Sequence, residues 1–530
     1  MNTRALLLTA TLAAAPAAAQ EAPSSPAPAP AVGADKATNL TLVVGAQSVG
    51  NVDRLGLARF EKYRDVPDGA VFEYGRFDWT PAGRPWSLSI TAVDALQDDQ
   101  RYHLDWSDPG RFSLRLGYVE VPRYYAADAR TLWSGAGTTV LTVPNDVRQP
   151  IETAAGAPTS FAPAATLRAV MTQALAGSAP LDLRSERQAA TGDFTYDLND
   201  SLSFAVSGRY ERRQGTRPLA VGTYTRRQAL AGVPGTGAGS FWRETIEARG
   251  QELIEPVDQT IPELTLSGTW SRKGHSVSIG WHGSWFRNDA TALYFDNPFE
   301  ASTGRASAIL FDPRSDQEPA APSGNNALRG LYARSAIQLW PENTFQQVFA
   351  SGSLKLGASS RLSVNASRGS MRQDDAFLPY SENDQVIFSG LAGQPGAVLA
   401  RDAALPRASL DGEINLTRAD VRLTARPAKA LALRATYRYY DYDDASPVID
   451  FPGYTSSSDS FFRRSIGQRD AQGNRVLFSR VGGFSRQRLT GGLAYTLGDI
   501  TLDGEYLRTM HDYDHRQVEA TAENAFKGTV

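Results

Sequence analysis

From Leu202 to Glu211 the chain alternates without a break. Leu202, Phe204, Val206, Gly208 and Tyr210 fall on one side, and Ser203, Ala205, Ser207, Arg209 and Glu211 on the other. Successive side chains of a strand point to opposite faces, so this segment is a strand with one apolar face and one wet face. Asn199-Asp200 precedes it, and before that Phe194, Tyr196 and Leu198 alternate in the same phase. The unit recurs along most of the chain, behind an export signal and without a cysteine. That combination reads as an outer-membrane β-barrel.

The hairpins can be followed one by one. Tyr102, Leu104 and Trp106 lead into a turn at Asp108-Pro109-Gly110, and Phe112, Leu114, Leu116 and Tyr118 return. Leu264, Leu266, Gly268 and Trp270 turn at Arg272-Lys273-Gly274 into Val277, Ile279, Trp281, Gly283 and Trp285. Val348 to Leu356 turns at Gly357-Ala358-Ser359 into Leu362, Val364 and Ala366. Val421, Leu423 and Ala425 turn at Pro427-Ala428-Lys429 into Leu431, Leu433, Ala435, Tyr437 and Tyr439. Leu493, Tyr495 and Leu497 turn at Gly498-Asp499 into Leu502, Gly504 and Tyr506. Between the hairpins lie stretches rich in Gly, Pro, Ser, Asp and Asn, expected to be irregular: 121–184, 213–262, 287–343, 369–409 and 441–486. Tight turns alternating with long loops is the rhythm of bacterial barrels, with the turns in the periplasm and the loops outside. A soluble sandwich or propeller would explain the alternation but not this rhythm, nor Tyr and Trp at strand ends. The expectation is a large antiparallel barrel of about sixteen strands over residues 39–530. Arg516–Val530 reads as the start of one more strand, and the chain is expected to stop short of a closed barrel.

Bulk composition agrees. Hydrophobic residues are 42% of the 530, low for a helical membrane protein but fitting strands that meet lipid with every second residue. Aromatics at 10% can furnish interfacial girdles. With 54 basic against 57 acidic residues there is no overall pull toward nucleic acid. Residues 1–19 form a signal peptide: Arg4, an apolar run from Ala5 to Ala15, then Ala17-Ala18-Ala19 before Gln20. The run is too short to span a bilayer, and no later stretch is long and apolar enough for a transmembrane helix. Residues 20–38, Pro/Ala-rich through Ala34, read as a periplasmic tether. The absence of cysteine removes disulfides, thiolate metal sites and any CxxCH haem attachment on this chain.

The other strand face is polar and mixed, and its ordinary meaning is a hydrated wall. Read functionally, it is a surface that grips something held inside. The candidate contacts are Arg209, Glu211, His282, Asn365, Arg434 and Arg438, alongside Ser276, Ser278 and Ser363. His511-Asp512-Tyr513-Asp514-His515 is the one dense ligand-like cluster, better read as a solvated rim than as a metal site. Asp441, Asp443, Asp444 and Asp450 match no defined calcium loop. No metal, cofactor or catalytic residue is assigned: there is no G-x-S-x-G elbow, Walker loop or dinucleotide fingerprint.

Several segments go beyond generic barrel character. Phe60-Glu61-Lys62-Tyr63-Arg64-Asp65 with Pro67-Asp68-Gly69 resembles the opening F-x-K-Y…G segment of the MtrB/PioB family, outer-membrane barrels that accompany decahaem cytochromes. Val121-Pro122-Arg123-Tyr124, Ala129-Arg130-Thr131, Ser134-Gly135-Ala136-Gly137 and Leu141-Thr142-Val143-Pro144 resemble its I-P…A-R-T…G-x-G…L-T-L-P stretch. Glu255-Pro256-Val257-Asp258 resembles its P-V-D strand entry. Ser284-Trp285-Phe286-Arg287-Asn288 with Asp296-Asn297-Pro298-Phe299 resembles S-x-F-x-N…N-P-F. Pro341-Glu342-Asn343, then Gln373-Asp374 and Phe377-Leu378-Pro379-Tyr380, resemble P-D-N and Q-x-x-F-L-P-Y. Leu405 to Gly412 resembles L-P-x-x-S-L-D-G, and Tyr437-Arg438-Tyr439-Tyr440-Asp441 resembles Y-R-Y-Y-D. Their order and spread over Phe60–Lys527 make the set specific. Two departures stand out: the Cys-x-x-Cys that some members carry near the N-terminus is absent, and the last strands look short.

The resemblance implies a non-enzymatic sheath in the bacterial outer membrane. Such a barrel encloses a periplasmic multihaem c-type cytochrome, which carries the haem, and shields it from lipid. Electrons then cross to or from an outside partner, which can be an extracellular multihaem cytochrome, in metal reduction or iron oxidation. The alternative is a passive or substrate-selective porin, which needs a constricting loop. An uptake receptor would need a plug domain before the barrel, yet strands begin near Leu40.

Overall fold

The structure is a computed structural model that describes residues 37–50, 54–155, 164–225, 247–299, 308–311, 334–379, 385–388, 397–400, 402–452, 476–478, 482–514 and 520–530. The signal peptide and nearly all of the tether lie outside the described residues. Sixteen strands form one sheet whose spatial order follows the sequence. They are β1 (Ala37–Gln47), β2 (Gly69–Thr80), β3 (Ser87–Ala95), β4 (Arg101–Asp108), β5 (Phe112–Ala129), β6 (Leu181–Asn199), β7 (Leu202–Thr225), β8 (Glu247–Arg272), β9 (His275–Asn288), β10 (Asn343–Leu356), β11 (Ser360–Gln373), β12 (Gly412–Ala428), β13 (Leu431–Asp444), β14 (Phe484–Leu497), β15 (Ile500–Tyr513) and β16 (Ala520–Thr529). Neighbours pair antiparallel throughout, as an all-β outer-membrane barrel requires. No helix among the described residues is long and apolar enough to cross a membrane.

Register confirms the two faces. Tyr196 lies opposite Phe204 and Phe194 opposite Val206, while Leu202, Phe204 and Val206 meet Trp270, Gly268 and Leu266 on β8. The row continues through Val277 opposite Trp270 and Leu354 opposite Leu362 to Leu433 opposite Leu493. Most of these side chains are exposed although they are large and apolar. On a lipid-facing wall that is the stable arrangement, since each Leu or Phe removed from water contributes about 1.5–3 kcal/mol. Aromatic rings close the band at both margins. Near the short turns Trp79 meets Trp86 edge-on at 4.6 Å and Trp106 meets Phe112 at 4.9 Å. At the other margin Tyr102 and Tyr118 lie 6.3 Å apart. Phe204 and Tyr210 are about 20 Å apart along β7 at ~3.3 Å per residue, close to the ~25 Å apolar band of such barrels.

Two sequence expectations need correction. The stretches 121–184 and 213–262 are not loops throughout. β5 continues to Ala129, β7 runs to Thr225 and β8 starts at Glu247. Apolar alternation ends at Tyr210 because lipid ends there, whereas the backbone ladder continues through Gly215 opposite Val257 to Thr225 opposite Glu247. The final segment forms the further strand expected of it, with β16 paired to β15 from Asp512–Ala520 to Asp503–Thr529. β1 and β16 are the sheet edges, and no described pairing joins them.

The long connections carry their own core. Helices α2 (Asn145–Ala155) and α3 (Ala164–Gly177) pack with a small sheet of residues 140–141, 292–296 and 334–338. Leu141, Ile151 and Leu293 have no exposure at all. This cluster also takes in Leu253 of β8, with Leu219 and Val221 of β7 packed against it. Leu219 and Leu253 are cross-strand partners in the same phase as Arg209 and Glu211. The loop core therefore rests on the inner face, at the outer ends of β7 and β8. Asp296 ties it together: its carboxylate accepts from the Val143 N–H at 3.0 Å, and its carbonyl accepts from Trp133 Nε1 at 3.0 Å.

Candidate functional site: the charged inner wall

All six candidate residues stand on the polar face, spread round the wall rather than gathered in one pocket. Arg209 and Glu211 belong to one cluster. Glu211 is 2% exposed and receives a 2.6 Å contact from Arg213, a short contact from Arg209 and a 3.9 Å approach from Arg187. A carboxylate this enclosed is costly unless paired and hydrogen-bonded, and three guanidiniums meet that need. Each of the three remains more than 40% exposed, so the cluster presents positive charge while its acid lies beneath. Glu211 thus positions arginines instead of meeting a partner itself. Strand alternation already placed Arg209 and Glu211 on one face; Arg213, at the start of a stretch expected to be irregular, and Arg187, on the neighbouring strand, were missed.

Arg434 works differently. Its guanidinium grips Asp503 at 2.6 and 2.7 Å and reaches Glu505 at 3.4 Å. Those acids are on β15, one strand beyond the immediate neighbour β14. Arg434 crosses β14 over Gly492, where a Cβ would fall 2.4 Å from its Nε. Arg438 pairs with Asp420 at 3.2 Å, and Arg418 with the same acid at 2.8 Å. Asn365 lies opposite Asp420 across β11 and β12. His282 shares a 2.9 Å hydrogen bond between Nδ1 and Thr265 Oγ1.

Beside these pairs is a group that sequence reasoning missed. Arg488 sits directly opposite Arg438 across β13 and β14. Arg422 faces Thr436, and Arg486 is opposite Tyr440 and His511. Arg422, Arg486 and Arg488 have no ion pair among the described residues. Like charges directly opposite are unfavourable, so this sector of wall has unspent positive charge.

The expected rim cluster does not assemble into a ligand set. His511 points inward and hydrogen-bonds Tyr513 at 3.4 Å, Asp512 falls on the other face, and His515 lies outside the described residues. Asp441 and Asp443 are outward, while Asp444 turns inward to accept from the Gly482 N–H at 3.1 Å. No group of three potential ligands forms among the described residues.

Residues 56–530 match the model of a family described as outer membrane beta-barrel porin, MtrB/PioB. The chain belongs to the MtrB/PioB family. It is a bacterial outer-membrane protein on that ground. One curated relative is outer membrane protein MtrB of Shewanella baltica, 21% identical over 367 residues. The match covers 69% of this chain and 41% of that protein, so the chain spans about two fifths of its relative's length. Similar solved structures include the ferric-catecholate import receptor Fiu of E. coli K12, at 14% identity and TM-score 0.35, over 86% of this chain and 60% of that one. A FadL homologue of Pseudomonas aeruginosa aligns at 9% identity and TM-score 0.26, over 93% and 86% of the two chains.

Two MtrB/PioB-like segments fall outside the wall. Phe60 to Asp65 follows helix α1 (Arg54–Phe60) and lies against β5, where the Tyr124 N–H donates to the Lys62 carbonyl at 3.2 Å. Burial and nearby Asp65 push the Glu61 carboxyl above its ordinary value. Asn297, fully buried in the Asp296–Phe299 stretch, accepts from the Phe299 N–H at 3.0 Å inside the loop core. These segments build the outer end of the barrel rather than its lumen.

Proposed function

We propose that this barrel sheathes a periplasmic multihaem c-type cytochrome, and that the pair conducts electrons across the outer membrane. The carrying observation is the unneutralised arginine sector on β12–β14, beside arginines already held in ion pairs. Crowded guanidiniums facing a lumen favour an anionic occupant, because an opposite charge removes their mutual repulsion. Acidic side chains and haem propionates on a cytochrome surface supply such groups. The chain has no cysteine, so the haem belongs to the partner. In this reading the wall insulates and positions, and performs no catalysis. An extracellular multihaem cytochrome on the loops would extend the path.

The test is affinity purification of the tagged chain from outer membranes, followed by haem staining of the eluate. A stoichiometric haem-positive protein is expected. A clean barrel without haem sinks the sheath and favours the porin. That second reading draws support from the loop core, which occupies the inner side of the outer ends as a constriction would. It expects steady single-channel conductance from the barrel as isolated, with nothing bound.

A further inference from the structure

Just beyond the outer tyrosine girdle, the lipid-facing side carries a polar pocket of about 250 Å³, lined by Arg184, Glu186, Gln188, Arg212, Gln214 and Gly215. Register places it. Tyr118, Ala190, Tyr210 and Pro262 form one outward row across β5–β8. The next outward row is Glu120, Gln188, Arg212 and Thr260, and the one after is Pro122, Glu186, Gln214 and Asp258. Those two rows lie about 7 and 13 Å along the strand beyond the ring level, on the headgroup side of the interfacial aromatics. This is the outer leaflet, since the short turns mark the opposite end as periplasmic.

The pocket's chemistry is specific. Arg212 approaches Asp258 only at 3.6 Å, and its Nε is buried with no hydrogen-bond partner. Arg184 contacts Asp98, lies 3.6 Å from Glu186 and stacks on Tyr124 at 5.0 Å. Gln188 donates to Glu120 at 2.9 Å, and Gln100 reaches the other oxygen of Glu120 at 2.6 Å. Gln188 also donates to Glu186 at 2.5 Å. The loop that supplies Asp98 and Gln100 also holds Leu96 at φ +70°, 94% exposed. An apolar tip held in a left-handed backbone is costly.

We propose that this pocket binds the phosphate-bearing headgroup of an outer-leaflet lipid. Arg184 and Arg212 donate to the phosphate, and Asp258, beside Arg212, accepts from the hydroxyl groups around it. Arginine forks match phosphate geometry. Continuity with the lipid-facing band selects a membrane lipid over a free anion. The inference is independent of what fills the lumen.

The experiment uses the full chain purified in detergent, with bis-phosphorylated lipid A as the probe and binding read by native mass spectrometry. Saturable binding is expected, with at least tenfold weaker binding of enzymatically dephosphorylated lipid A to the same wild-type protein. R184Q/R212Q should lose binding to the same degree, and R212K only in part. Millimolar inorganic phosphate should leave the lipid bound. Equal binding of dephosphorylated lipid A, equal binding by a folded double variant, or displacement by phosphate overturns the proposal. The dephosphorylation comparison needs no variant, so a misfolded R184Q/R212Q does not blunt the test.

Discussion

Glu211 shows how one side chain can organise a wall it does not itself present. Its carboxylate is enclosed by Arg187, Arg209 and Arg213, which are each more than 40% exposed. Glu211→Gln keeps the shape and removes the charge, leaving three guanidiniums close together without their acid. The expected cost is about 1–3 kcal/mol, read as a lower temperature for loss of the folded, faster-migrating band in SDS gels. Arg213→Gln should cost less, because two arginines still meet the acid. A Glu211→Gln barrel as heat-resistant as wild type would show that the cluster has no structural role. In the sequence Arg209 and Glu211 were visible because strand alternation puts both on one face, whereas Arg213 opened a stretch expected to be irregular. Arg434 was visible only as an inward arginine. Its partners Asp503 and Glu505 come from a strand two places away, reached across a glycine, and no local spacing encodes that contact.

At the scale of elements, each hairpin was legible wherever lipid enforces alternation, and illegible where lipid stops. β7 shows both halves. Up to Tyr210 its outward residues are apolar; beyond it the same strand carries Arg212 and Gln214 outward, and Arg217, Leu219 and Val221 inward. Arg217 clamps Glu255 on β8 at 2.6 and 2.8 Å, and Leu219 feeds the loop core, so the extension is held by ladder, ion pair and packing together. None of these is a periodic signal. Gly215 sits at the point where β6 leaves β7, with φ +124° and a would-be Cβ 2.2 Å from the Arg184 carbonyl oxygen. Gly215→Ala must shift backbone there. The expected loss is about 1–3 kcal/mol, accompanied by faster amide exchange in residues 216–225 and 247–257 than in the membrane-embedded half of the hairpin. Uniform exchange along both halves would mean that the extension does not depend on this junction.

For the whole molecule, a barrel of about sixteen strands was legible from six tight turns, whereas the occupant of the lumen was not, because a porin and a sheath both need a polar inner wall. The charge distribution on that wall separates the two in a measurable way. Arg422, Arg486 and Arg488 add unpaired positive charge to one sector, within about a Debye length of any ion passing along it. A barrel stripped of its partner and placed in a planar bilayer should therefore prefer anions, with a reversal potential displaced toward the chloride equilibrium value in a KCl gradient. R422Q/R486Q/R488Q should move that potential toward zero and flatten its dependence on ionic strength. If the arginines instead exist to hold an acidic protein, the same triple variant should also release the haem-stained partner at lower salt than wild type. Loss of anion preference with unchanged partner retention would assign the sector to ion passage, and unchanged selectivity would mean that the sector lies off the conduction path.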